Sequence, residues 1–307
     1  MNDFREKIDK LRKDVDSGAS EFIGKALEII IYFLNQVPDE SENIKDSFLK
    51  ISKEIMDSRP SMAPLINTIG YLIQNLELIN KKNIFNRITE FKKFKIKQER
   101  LLIANFKSFI ENLEKDKPKI MLISYSSTII KALNQLPSDS TELYVLESRP
   151  LMEGHKTAEI LSKKFLTHLI IDAAMGKFID SIDFVLIGID SILRDGSIIN
   201  KIGTYPLACM ANYAEKSVVA LGSIFKYNLK SHFGQKIIIV QKPVTEIYPK
   251  SSLTANLKVH NFYFDITPSN LINLIISEIG VLKVNQFLSK VINELNLEWY
   301  KNYFLDK

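Results

Sequence analysis

Four short segments combine residue types that handle anions and protons. Ser124-Tyr125-Ser126-Ser127-Thr128 follows an apolar run and leads into an amphipathic stretch at Ile129. Hydroxyls and free amides at a helix start can cradle an anion. Plain N-capping by serine is the simpler use of the same residues. Glu147-Ser148-Arg149-Pro150 follows a second apolar run, with Gly154-His155-Lys156-Thr157-Ala158 next. A guanidinium such as that of Arg149 can grip a phosphate or carboxylate in two places, or form a surface ion pair. The third segment runs from Gly188 to Thr204 and holds Asp190, an Asp195-Gly196 turn and Asn200-Lys201 on the connection into the next helix. A carboxylate just past an apolar strand is placed for proton transfer or for a sugar hydroxyl. A lysine meets phosphate as a point charge. The fourth segment, Phe262-Tyr263-Phe264-Asp265-Ile266-Thr267-Pro268, reads as structural, with Thr267-Pro268 an ordinary helix start.

The elements that position these residues divide the chain in two. Up to residue 117 the apolar residues recur at three- and four-residue steps, as in Phe22, Ile23, Ala26, Leu27 and Ile30, which predicts helices. Helices are expected over residues 20–35, after a cap at Pro38-Asp39 with Glu42, from Pro60, and over 83–114. Lys115-Asp116-Lys117-Pro118-Lys119 is polar and marks the boundary, giving a helical domain over 1–117 and a second domain over 118–307. Beyond it, short apolar runs alternate with helical segments: 120–124, 143–146, 168–171, 184–187, 218–221 and 237–240. That alternation predicts an α/β fold with a mostly parallel sheet, whose strands read as unbroken apolar runs because both faces are covered. Residues 270–304 read as helical again. Ligands of such sheets bind at the carboxyl ends of the strands, where the four segments fall.

Composition excludes several classes. The 307 residues carry 41 Lys and Arg against 36 Asp and Glu, a mild excess that does not by itself point to nucleic acid. The basic run from Arg87 to Arg100 reads as a solvated helix face, so no specific nucleic-acid binding is expected. No GxGxxG or GxxxxGK[ST] is present, against a common dinucleotide or P-loop site, and no cofactor is expected. The four histidines show no metal-ligand spacing, so no metal site is expected. The single cysteine, Cys209, sits in an apolar helical stretch and is expected to be buried and inert. It allows no disulfide within the chain, which suits a reducing, cytoplasmic setting. The charged N-terminus reads neither as a secretory signal nor, with the rest of the chain, as a membrane span.

The order of these segments resembles the α/β/δ subunit family of translation initiation factor 2B, which shares a superfamily with ribose-1,5-bisphosphate and methylthioribose-phosphate isomerases. The most specific stretch is GIDSILRDGSIINKIGTYPLA, residues 188–208, with VLESRPLMEGHKTA at 145–158, ALGSIFKYN at 220–228 and FDITPSNLINLIISEIG at 264–280. Ser58-Arg59-Pro60-Ser61 resembles an Arg-Pro helix start of the isomerase branch. The resemblance implies an N-terminal helical domain followed by a Rossmann-like parallel sheet domain with helices on both faces. The strand-end positions lead to the expectation that Ser124, Tyr125, Ser126, Ser127, Arg149, Asp190, Asn200 and Lys201 line one ligand pocket, to which the resemblance adds Arg59, with Asp190 the catalytic group if the chain is active.

Two departures bear on activity. Tyr125 or a neighbouring serine stands where the isomerases carry a catalytic cysteine, and Ser17-Gly18-Ala19 replaces their early Arg-Gly-Ala. The first expectation is therefore an α-type regulatory subunit-like protein that binds a phosphorylated sugar or nucleotide without turnover. Its implied partners are itself, as a dimer or larger assembly, and initiation factor 2. The apolar residues Leu282, Val284, Phe287, Leu288, Val291 and Ile292 are the expected self-association surface. The alternative is a sugar-phosphate isomerase with an altered acid/base pair, Asp190 with Tyr125. A metabolite sensor is the third reading.

Overall fold

The computed structural model describes residues 2–14, 18–38, 43–60, 62–74, 79–252 and 254–305. The expected cap at Asp39 and Glu42, and residues Ser17 and Ser61 of the two short motifs, lie outside the described residues. The chain forms two compact units: Met1–Gln98 with Phe225–Gln235 and Val291–Lys307, and Glu99–Ile224 with Lys236–Lys290. This is not the same division as a single cut at residue 117. One helix runs unbroken from Lys81 to Glu111 through the point where the units part, and the polar stretch follows its end.

The first unit is helical. It contains α1 (Asn2–Lys13), α2 (Ala19–Gln36), α3 (Ile44–Ser58), α4 (Ala63–Ile73) and the first part of α5 (Lys81–Glu111). α2 buries Phe22, Ile23, Ala26, Leu27 and Ile30, the stripe that its spacing predicts. α4 starts at Ala63 rather than at Pro60 and is buried nearly all round, as befits a central helix. Asn67 on α4 donates to the carbonyls of Phe225 and Tyr227, each at 2.8 Å, and so ties a distant segment into this unit. Gly70 does the same for the C-terminal segment: an added Cβ would lie 2.2 Å from the Trp299 ring.

The second unit is α/β. In chain order it holds β1 (Lys119–Leu122), α6 (Ser127–Leu133), β2 (Glu142–Leu146), α7 (Glu153–Leu161), β3 (Leu166–Ile170), α8 (Met175–Phe178) and β4 (Phe184–Gly188). It continues through β5 (Ser191–Ile192), β6 (Ile198–Lys201), α9 (Thr204–Tyr213) and β7 (Ser217–Leu221). The short α10 (Leu229–His232) belongs to the helical unit, after which β8 (Phe264–Thr267), β9 (Leu274–Ser277) and β10 (Gly280–Leu282) complete the strands. α11 (Val284–Glu294) and α12 (Glu298–Tyr300) close the chain. Among the described residues the main sheet has the order β10-β9-β7-β4-β1-β2-β3, parallel except for β10. β1, β4 and β7 are apolar and buried along almost their whole length, because helices cover both faces.

The chain steps outward from β1 to β2 and β3, then returns to the other side at β4. The strand order therefore reverses between β1 and β4, and a crevice opens at their carboxyl ends. A second sheet, β5-β6-β8, is antiparallel and brings residues 198–201 against 264–267.

Several sequence expectations are overturned. Residues 237–240 form no strand, and Ile238 and Val240 are exposed. Beside β7 the available edge is taken by β9, paired from Val219↔Leu274 onward. Residues 270–304 are therefore not helical throughout: Leu274-Ile275-Ile276 suit a strand, and Gly280, with φ +122°, opens the hairpin strand β10. Phe264–Thr267 is a strand, and Thr267-Pro268 leads into a single 3-10 turn, Ser269–Leu271, rather than a helix. Asn200 and Lys201 lie on β6, not on a connection. Cys209 is exposed: α9 turns Leu207, Ala208 and Ala211 inward, and Cys209 falls on the other face.

Candidate functional site

The crevice between β1 and β4 receives the loop 124–128 from one side and residues 188–190 from the other. Ser126 ends the loop as N-cap of α6, its Oγ accepting from the Ile129 N–H at 3.3 Å. α6 is seven residues long, so its dipole adds little to an anion cradle. Across the crevice, a Cβ added to Gly188 would stand 3.4 Å from the Ser126 Oγ and 3.5 Å from the Asn200 Oδ1. The bare backbone of Gly188 thus separates a hydroxyl and an amide carbonyl that are far apart in sequence. Asp190 joins them through the backbone, its N–H donating to the Ile199 carbonyl at 2.9 Å. Asn200 is buried and its Nδ2 donates to the Thr204 Oγ1 at 3.0 Å; that hydroxyl donates to the Lys201 carbonyl at 2.6 Å. Asn200 is therefore locked in one orientation.

Lys201 behaves differently from the sequence expectation of an available phosphate cation. Its side chain is 3% exposed, and its Nζ lies 2.7 Å from the Glu153 Oε1. Glu153 opens α7 and was not among the residues singled out from the sequence. Its second oxygen, Oε2, is buried and has no hydrogen-bond partner. The Lys201 ammonium also stands 5.3 Å from the centre of the Tyr263 ring. Burial of such a pair is tolerated because each charge cancels the other.

The loops at the ends of β1, β2 and β3 are knitted together. The Ser124 N–H donates to the Ser148 Oγ at 2.7 Å, and the Ser148 hydroxyl donates to the Leu146 carbonyl at 2.9 Å. Asp172 accepts from the N–H groups of Ser148 and Arg149, at 2.8 and 2.7 Å. The Thr157 hydroxyl donates to the Ser124 carbonyl at 2.9 Å. Gly154 permits this closure: a Cβ there would fall 1.8 Å from the Leu146 carbonyl oxygen. Arg149 is exposed, and it is its backbone that is anchored here. Tyr125 is exposed, with the Lys156 Nζ 4.2 Å from its ring centre. Ser127 is exposed at the start of α6.

Arg59 belongs to the helical unit. Its guanidinium donates to the Asp14 carbonyl and lies 4.4 Å over the Phe22 ring.

A second carboxylate emerges beside Asn200. Asp265 pairs with it across β6 and β8, so their side chains share one face. The Asp265 Oδ2 accepts from the N–H groups of Gly203 and Tyr205, at 2.8 and 3.1 Å, capping α9. Its Oδ1 is buried without a partner. Burial pushes its carboxyl up to about 6, against the opposing pull of the backbone N–H groups of Tyr205, Gly203 and Thr204. Asp265 lies in a segment that reads as structural, and only its pairing with β6 reveals its position. Among the described residues no cluster of three His, Cys, Asp or Glu could hold a metal, and no helix is long and apolar enough to cross a membrane.

Comparison with known proteins gives the family and the fold. The chain is 28% identical to a ribose 1,5-bisphosphate isomerase of Archaeoglobus fulgidus over 288 residues, covering 92% of this chain and 90% of the relative. It is 27% identical to the protein of the same name from Methanocaldococcus jannaschii, again over 288 residues and 92% of each chain. Its fold is similar to a crystal structure of translation initiation factor eIF-2B from Pyrococcus horikoshii, with TM-score 0.76, 21% identity, and coverage of 94% and 99% of the two chains. A 5-methylthioribose 1-phosphate isomerase structure from the same organism gives TM-score 0.70 at 18% identity, covering 95% and 88%. The family model described as the Initiation factor 2 subunit family matches residues 16–284, and the chain belongs to that family.

Proposed function

We propose that the chain is a sugar-phosphate isomerase of the ribose 1,5-bisphosphate type, working with an acid/base set that lacks a cysteine. The observation that supports this most is the meeting of Ser126, Gly188 and Asn200 at the strand-order reversal, with Asp190 next to them, in a chain similar to named isomerases over nine-tenths of its length. An aldose 1-phosphate becomes a ketose when the hydrogen on carbon 2 moves to carbon 1. The 2-hydroxyl gives up its proton as its oxygen becomes a carbonyl, and the ring oxygen gains one as the ring opens. Asp190 is the carboxylate for the first proton. Asn200, held by Thr204, presents a fixed amide to the sugar, and the Ser126 hydroxyl faces it across Gly188.

The test is direct: purified protein with ribose 1,5-bisphosphate, following ketose formation, with methylthioribose 1-phosphate as comparison substrate. Turnover by the wild type, reduced about 10²–10⁴-fold in Asp190→Asn, is the expected result. Absence of turnover on both sugars would remove this reading. The second reading is then a regulatory subunit-like protein that binds its ligand unchanged. It is favoured by the loop 124–128, which offers hydroxyls and no thiol.

A further inference from the structure

Asp265 takes no part in the proton transfers above, yet a series of hydrogen bonds ties it to the Asn200 amide. Its Oδ2 accepts from the N–H groups of Gly203 and Tyr205, at 2.8 and 3.1 Å, and the Thr204 N–H adds to them. These are donors of the first turn of α9, which have no partner within the helix itself. Gly203 stands at the N-cap with φ +99° and has no side chain to accept from them, so the cap comes from Asp265, 62 positions along the chain. Thr204 sits in the turn that Asp265 holds. Its hydroxyl accepts from the Asn200 Nδ2 at 3.0 Å and donates to the Lys201 carbonyl at 2.6 Å. The Asn200 Oδ1 is thereby left facing Gly188, 3.5 Å from where a Cβ would stand.

The two protonation states of Asp265 hold this turn with different strength. The Oδ1 is buried and has no hydrogen-bond partner among the described residues, so it can carry a proton while Oδ2 keeps the cap. An ionised carboxylate accepts from amides more strongly than a neutral carboxyl. Burial raises the carboxyl to about 6, so both forms occur near neutral pH. The titratable side chains on the elements packed against β8 are Lys201 on β6, Tyr205, Cys209 and Tyr213 on α9, and Tyr263 just before β8; Asp190 meets β6 through its backbone at Ile199. Lys201 is one residue off the Asn200–Asp265 pair, hence on the other face of the strand, where Glu153 neutralises it. Tyr205, Cys209 and Tyr213 are exposed. Burial and the three amides set the Asp265 carboxyl.

We infer that Asp265 is the positioning residue for Asn200: it fixes the first turn of α9, and Thr204 in that turn orients the Asn200 amide toward the crevice. Asp265 acts through Thr204 rather than on the sugar. The ionised form holds the turn and the amide firmly, and the protonated form holds them less, so the site improves as pH rises through about 6. The functional consequence rests on the isomerase reading above, but the link from Asp265 to Asn200 is observable without substrate.

Nuclear magnetic resonance of the full chain with isotope-labelled asparagine tests that link, the Asn200 side-chain amide being assigned by its loss in Asn200→Asp. In the wild type this signal should shift with a midpoint of about 6. In Asp265→Asn it should not titrate. Thr204→Val, which keeps the backbone donor to Asp265 and removes the hydroxyl, should also abolish the shift; circular dichroism establishes that each variant is folded. Turnover of ribose 1,5-bisphosphate is the second readout. Phosphate itself titrates at about 6, so the measure is the ratio of wild-type to Asp265→Asn kcat/KM at each pH, in which substrate ionisation cancels. That ratio should grow about fivefold from about pH 5 to about pH 7.5. An Asn200 signal that does not titrate, or titrates equally in Asp265→Asn, overturns the inference and leaves the isomerase reading standing, as does a flat ratio. An Asp265-dependent signal in a protein that turns over neither sugar supports the positioning of Asn200 and removes the isomerase reading.

Discussion

At the scale of single residues, the site depends on charges whose partners come from distant segments. Lys201 and Glu153 are 48 positions apart, and nothing in the sequence pairs them until the fold joins them. Removing one partner leaves the other charge buried and unmatched, which is costly even where the intact pair contributes little. Glu153→Ala should therefore destabilise the protein by about 3 kcal/mol, read as a lower urea midpoint at unchanged slope. An unchanged midpoint would mean that the pair is not maintained in solution. Asp265 makes a pH prediction. Its carboxyl is raised from 3.8 to about 6 by burial, so the folded state holds this proton more tightly than the unfolded chain. Its contribution to stability is fully present below about pH 4 and is lost as pH rises through about 6. The change is on the order of 2–3 kcal/mol. Asp265→Asn, which can still accept from the α9 amides, should abolish that component. The difference in unfolding free energy between variant and wild type should grow in the variant's favour between pH 4 and 6.5. A difference that stays flat would contradict the raised carboxyl.

At the scale of elements, β1, β4 and their loops were legible because a covered parallel strand must be apolar at every position. The placement of Ser126 and Asp190 just past those strands follows from that alone. The 237–240 run carries the same signal and forms no strand, because the place beside β7 goes to Leu274–Ser277. Periodicity describes what a segment can do, whereas pairing is a competition among segments. The strand at 264–267 was missed for the same reason: FDIT carries no sign of the antiparallel partner β6 that puts Asp265 next to Asn200. The β2–α7 connection gives a sharper test. With the Leu146 carbonyl oxygen 1.8 Å from where a Cβ would lie, Gly154→Ala cannot be absorbed by a side-chain movement. We expect a loss of about 3 kcal/mol or more and a lower Tm, because backbone must shift. A near-neutral Gly154→Ala would show that the loop is looser than this.

At the scale of the whole molecule, the expected self-association surface is partly used inside the chain. Phe287 and Val291 are fully buried within the protein, whereas Ile292 is exposed and Leu282, Val284 and Leu288 are half-buried. Leu166 and Leu169 on β3, the edge strand of the main sheet, and Ile171 just after it are all about half exposed, Leu169 and Ile171 at the spacing of one face. An apolar sheet edge of this kind favours pairing with another chain. We propose a homodimer that uses this edge, so light scattering at micromolar concentration should give twice the chain mass. Leu169→Lys with Ile171→Lys should return it to one chain; a wild-type monomer would refute the proposal. The basic face of α5 leads to the opposite expectation. Arg87 is engaged with Glu90 at 3.0 Å and with the carbonyls of Tyr71 and Gln74, and Glu99 pairs with Lys131. RNA binding should therefore be weak, and reversing Lys92, Lys93 and Lys97 should not change it. Tight binding with a steep salt dependence lost in that variant would overturn this.

The sequence by itself determined the helical spacing of the first part, the strand and helix alternation of the second, and the arrival of Ser126 and Asp190 just past strand ends. These depend on neighbours one to four residues apart, so they are written locally. Only the tertiary structure decided which lysine is neutralised, which apolar run becomes a strand, which way Cys209 faces and how far the Asp265 carboxyl rises. Each of these outcomes depends on burial and on a partner far along the chain. Desolvation magnifies the effect, because a charge removed from water is governed by whichever group the fold places next to it.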